Sequence, residues 1–168
     1  MKYGTKILSV LILIISLGIN EAKSQITYNE WETVVLVDEF EDPTGETAER
    51  IFLKGTFSNS ATSNSDLIVK IMDHGLYFGL IIELYEYSRA PGVNMCNDSC
   101  FGVMEIKDDS GETHSFKAWS SETGALYFID DRKEILSLME KSSKLTFLIK
   151  ESSFWDIGSA RYTFTLNK

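Results

Sequence analysis

Residues 76–87 read Leu76-Tyr77-Phe78-Gly79-Leu80-Ile81-Ile82-Glu83-Leu84-Tyr85-Glu86-Tyr87. Leu76, Phe78, Leu80, Ile82 and Leu84 share one parity, and Tyr77, Gly79, Ile81, Glu83, Tyr85 and Tyr87 the other. Successive side chains of an extended strand point to opposite faces, so this alternation predicts a long strand with one apolar face.

On either side of this run the same period recurs in short stretches separated by turn residues. On the amino-terminal side, strands are expected at Val34–Asp38, Ile51–Phe57 and Leu67–Met72. On the carboxy-terminal side they are expected at Phe101–Ile106, His114–Trp119, Leu126–Ile129, Leu145–Ile149 and Ala160–Leu166. Asp42-Pro43-Thr44-Gly45, Asp73-His74-Gly75 and Asp108-Asp109-Ser110-Gly111 read as turns, the first with Pro43 fixing φ and Gly45 free to take positive φ. One helix is expected at Asp131–Lys141, capped by Asp130 or Asp131 and carrying Ile135, Leu136, Leu138 and Met139 as its apolar stripe. The polar tract Ser58–Asp66 is too short for an interdomain linker and reads as a surface loop or irregular edge. The class is therefore mainly β: an antiparallel β-sandwich or flattened barrel, with one short α-helix over an open end. No internal repeat or domain boundary interrupts it.

Parts of this pattern resemble small exported bacterial proteins of unknown function. The likeness is carried by Asp42-Pro43-Thr44-Gly45, by Gly55-Thr56-Phe57-Ser58-Asn59-Ser60-Ala61-Thr62-Ser63-Asn64-Ser65-Asp66-Leu67 and by Ser159-Ala160-Arg161-Tyr162-Thr163-Phe164-Thr165, with Trp31 preceding the first segment. The resemblance implies a shared β fold and no particular activity. The cysteine pair lies outside it.

The first residues predict export. Lys2 and Lys6 precede a mainly apolar run from Ile7 to Ile19, and Ala22 and Ser24 suit the small-residue positions of a signal-peptidase site. That run is shorter than the roughly 20 residues a bilayer span needs. Residues 1–24 are thus expected to be a signal peptide, leaving residues 25–168 as a single β-rich domain in the periplasm or outside the cell, without a membrane span. Removing Lys2, Lys6, Lys23 and Glu21 leaves 13 basic and 24 acidic side chains, a formal charge of −11. A surface so acidic repels phosphate backbones, which argues against nucleic-acid binding. In an oxidising compartment Cys96-Asn97-Asp98-Ser99-Cys100 reads as one local disulfide between Cys96 and Cys100.

Catalytic chemistry finds little support. The chain has no Gly-x-Ser-x-Gly elbow and no phosphate-cradling glycine loop, and no cofactor is expected. His74 falls in a turn. His114 could meet Asp108, Asp109 and Glu112 in a hairpin, but acidic turns are common because turns are solvated, and no metal site is assigned. Binding is the better expectation. The outward face of the long strand offers Tyr77, Ile81, Glu83, Tyr85 and Tyr87, and Tyr suits interfaces by joining apolar area to a polar tip. The reading is a non-catalytic protein-binding domain, an inhibitor or immunity type, with a basic partner favoured by the charge. The alternative is a carbohydrate or small-ligand module using Trp119, Tyr127 and Trp155. A cryptic hydrolase would need two acids or a Ser–His pair converging in a cleft.

Overall fold

A computed structural model describes residues 26–75, 79–86, 101–120, 125–150 and 160–168. The strands are β1 (Trp31–Val37), β2 (Pro43–Ser58), β3 (Ser65–Asp73), β4 (Leu80–Glu86), β5 (Phe101–Lys107), β6 (Thr113–Ser120), β7 (Leu126–Phe128), β8 (Lys144–Lys150) and β9 (Arg161–Asn167). Helix α1 (Arg132–Lys141) lies between β7 and β8. Every pairing between strands is antiparallel.

The strand order is β1-β2-β3-β4-β7-β6-β5-β8-β9, and β9 returns to pair with the end of β2. Eight strands thus form a closed barrel, with β1 added outside the ring. The architecture is a barrel and not a sandwich, and the reason is local. At the seam Gly55 pairs with Phe164. A Cβ on Gly55 would run into the Thr163 carbonyl oxygen and come within 2.7 Å of the Phe164 Cβ. Only glycine lets the two backbones approach so closely.

Alternation sorts the side chains as the sequence predicts. Leu80, Ile82 and Leu84 of β4 are buried, as are Leu67, Val69 and Ile71 of β3 and Leu145, Phe147 and Ile149 of β8. An eight-stranded barrel is just wide enough for side chains to fill. Here Phe57, Phe116, Phe128, Phe147 and Phe164 occupy much of that space, with Phe147 and Phe164 stacked at 4.7 Å between ring centroids. Helix α1 adds Ile135 and Met139 to the same core. Its first turn is tied to the end of β3, where Arg132 meets Asp73.

Three local expectations change. The first turn is not at residues 42–45. The chain reverses over Asp38–Asp42, where the Asp38 carboxylate accepts the Phe40 and Asp42 N–H groups. Pro43 already pairs with Val37, and Gly45 takes its positive φ of 81° at a bulge inside β2. The link after Asp73 is longer than a tight turn: His74 N–H reaches the Gly79 carbonyl at 3.1 Å, and β4 begins at Leu80. Asp131 precedes α1 but makes no side-chain cap; its backbone carbonyl accepts from Ile135. The polar tract behaves as a loop whose side chains serve the backbone. Asn59 accepts from Ala61 and Thr62, and Ser58 from Asn64.

Candidate functional site

With the core filled from inside, the outward residues of the barrel wall form registered rows. Cross-strand partners share a face. One row runs Trp119 (β6), Tyr127 (β7), Ile81 (β4), Met72 (β3), Arg50 (β2) and Glu32 (β1). The next runs Glu83, Lys70 and Phe52, and a third runs Tyr85, Ile68 and Lys54.

Ile81, Glu83 and Tyr85 therefore face outward together, as expected, and all three are half-buried. Glu83 is their hub. Its carboxylate pairs with the Lys70 ammonium at 2.6 Å and also accepts the Tyr85 hydroxyl. Lys70 in turn lies 5.9 Å from the Tyr85 ring centroid. Burial, with the Glu83 hydrogen bond and charge beside it, pushes the Tyr85 hydroxyl well above its ordinary pKa of 10. The Tyr85 tip is thus committed within the protein, and its ring lies half-buried on the outer wall. Tyr77 and Tyr87 lie outside the described residues, as do Cys96, Cys100, Trp155 and the segment 1–24.

The more open part of the wall is at β6 and β7. Trp119, 45% exposed, and Tyr127 sit 5.5 Å apart between ring centroids at 56°. With Ser115, Lys117, Ile129, Asp130 and Asp131 they line a groove of about 440 Å³. A second groove of about 320 Å³ lies between β1 and α1, lined by Trp31, Leu136, Met139, Glu140 and Lys168.

The β5–β6 hairpin brings together only part of the expected polar set. Ligand atoms of Asp108, Glu112 and His114 lie within 4.8 Å of one another. Asp109 turns away and holds Ser143 through its N–H at 3.0 Å and its hydroxyl at 2.8 Å. Asp108 accepts from the Ser110 hydroxyl and N–H and from the Glu112 N–H, and its other oxygen faces His114 at 3.3 Å. These bonds, the Ser110 hydroxyl foremost, hold its carboxyl below the ordinary range. They account for the trio as the scaffold of a turn.

Comparison with protein-family models, with curated proteins and with solved structures finds no match.

Proposed function

We propose that this chain is an exported, non-catalytic protein-binding domain that acts by covering a surface of its partner, as an inhibitor or immunity-type protein does. The observation that carries this reading is the outward row Trp119, Tyr127, Ile81 and Met72, in register on four adjacent strands. At about 4.8 Å per strand it spans roughly 15 Å of barrel wall. That is broad for a small ligand and suited to a protein face. Trp, Tyr, Met and Arg, the last supplied by Arg50 in the same row, are residues that interface cores favour. The interior is apolar while Lys70–Glu83 and Arg50–Glu32 ion pairs lie on the wall, the reverse of a barrel that faces lipid. The charge of −11 left by signal-peptide removal speeds encounter with a basic partner. Residues 1–24 direct export, and a Cys96–Cys100 disulfide pins the connection between β4 and β5.

A second reading, a glycan-binding module, is favoured by the Trp119–Tyr127 pair. Aromatic faces stack on sugar rings, and Asp130, Asp131 and Lys117 would bond hydroxyls at the rim of the groove.

Capture by the immobilised mature chain, from Gln25 onward, distinguishes the two. The protein reading expects one stoichiometric basic protein, released by salt and lost in Ile81→Lys. A neutral glycan bound equally at low and high salt, and lost in Trp119→Ala, would instead establish the second reading.

A further inference from the structure

The outer part of the β1–β2 unit stands apart from the barrel. β2 meets β3 only from Glu49 onward, so Pro43–Ala48 pairs with β1 alone among the described residues. Ala48, opposite Val34, is still buried, and beyond that pair Val35–Thr47 is a two-stranded arm, leaving the barrel at the end that α1 covers. A two-stranded hairpin is marginal in water unless something packs on it. This one exposes Val35 by 58%, Val37 by 56% and, at its tip, Phe40 by 75%. β1 also bonds to β2 only, so its second backbone edge has no strand beside it among the described residues. Natural edge strands are usually blunted with lysine or proline, and β1 carries neither.

What fits there is set by charge. Between Ile26 and Glu49 the chain has eight carboxylates and no Lys or Arg. Four of them, Asp38, Glu39, Glu41 and Asp42, surround Phe40. Two such arms repel each other, which disfavours a second copy of this chain. A cationic strand is attracted, and its backbone groups can complete the open ladder.

We propose that the β1–β2 arm is the docking element, adding an extended lysine- or arginine-rich segment of another protein to the open edge of β1, with Phe40 as its apolar anchor. The proposal rests on the protein-binding reading and moves its energetic centre from the barrel wall to the arm. A single aromatic side chain seated in a partner's pocket, with lesser contacts around it that exclude water, is how a few residues come to dominate an interface. The carboxylates govern the rate of encounter, and the backbone ladder fixes the register.

The test uses a labelled ten-residue peptide of alternating Lys and Val, with two controls: the same peptide N-methylated at alternate residues, and one with Glu in place of Lys. Binding to the mature chain is read by anisotropy, and its place by hydrogen exchange. Slowed exchange over Trp31–Val37 is expected, with binding at least about tenfold weaker in Phe40→Ser and in the double variant Glu39→Lys/Glu41→Lys. Both controls should bind no better than background. Phe40, Glu39 and Glu41 are exposed, so circular dichroism should show these variants folded. Protection on β4 and β7 instead, equal binding of the N-methylated peptide, or no binding would overturn the proposal. So would a concentration-dependent dimer abolished by Val35→Lys, which would make the occupant a second copy. If the captured protein is retained by the arm variants and lost in Ile81→Lys, the arm is wrong while the protein-binding reading stands. If no protein is captured by any form, that reading itself fails.

Discussion

Arg132 and Asp73, 59 residues apart, face each other as a two-pronged ion pair, Nε to Oδ1 at 2.5 Å and Nη2 to Oδ2 at 2.6 Å. The pair joins the first turn of α1 to the last residue of β3, and so fixes the helix over the barrel end. Both side chains are mostly shielded from solvent. Burial alone would raise the Asp73 pKa, but the Arg132 hydrogen bonds and the Gly75 N–H outweigh it, and the carboxyl lies below its ordinary 3.8. The folded state therefore holds this proton less tightly than the unfolded chain. The resulting stabilisation is complete at neutral pH and is lost as pH falls below about 4. Arg132→Met should cost about 1–3 kcal/mol at pH 7, because it strands a shielded carboxylate. In urea titrations the variant should lose part of the wild-type's decline between about pH 5 and pH 2. A variant with unchanged stability at pH 7 would show that the pair does not hold the helix.

Gly55 should be irreplaceable. Any β-carbon there strikes the backbone of β9, which is not the flexible end of a side chain. Gly55→Val should cost more than about 3 kcal/mol or prevent folding. A well-folded Gly55→Val protein, by near-ultraviolet circular dichroism, would contradict the seam.

Glu83 should control the acidity of Tyr85. In Glu83→Gln the Tyr85 pKa should fall back toward 10 while staying above it, since burial is the larger cause and remains. Tyrosine ring-carbon NMR reads this directly. The raised value also means that Tyr85 contributes stability that declines as pH climbs past about 10, and the variant should decline less. An unchanged Tyr85 titration would separate the two residues.

Trp119 should be worth more to recognition than to folding. Removing its contact with Tyr127 in Trp119→Ala should cost about 0.5–1.5 kcal/mol, the usual range for an aromatic pair. The check is a thermal melt beside the capture experiment. A loss several times larger would make Trp119 a structural residue.

We propose that Cys96 and Cys100 are joined when the chain is made in an oxidising compartment. Alkylation without reduction should add no mass, and alkylation after reduction should add two groups. Two groups added without reduction would remove the disulfide.

Much of the fold was legible because a filled barrel writes its interior into the chain with period two. Leu80, Ile82 and Leu84, or Tyr162, Phe164 and Leu166, can be read directly as one face. Barrel closure was harder to read, since it depends on a pairing between distant segments. Its one local trace is Gly55, a glycine inside an apolar strand run. The amino-terminal half of β2 was missed because Thr44–Thr47 is exposed on both faces, which erases the alternation. The same exposure hid the arm. Phe40 belongs to no alternating run and has four acids around it, although a large apolar residue in that company was the available signal. Ile81, Glu83 and Tyr85 were correctly placed on one face. That Glu83 would bind both Lys70 and Tyr85 required the register between β3 and β4, which a sequence does not state.

The seam also has a consequence for the edges of the sheet. Its partners, Gly55 and Phe164, are separated by most of the folded chain. Without that pairing, Gly55–Ser58 of β2 and the outer edge of β8 would each lack a neighbour, and bare edges are prone to pairing with other chains. Strand β9 alone covers both edges, so a change that loosens it exposes two at once.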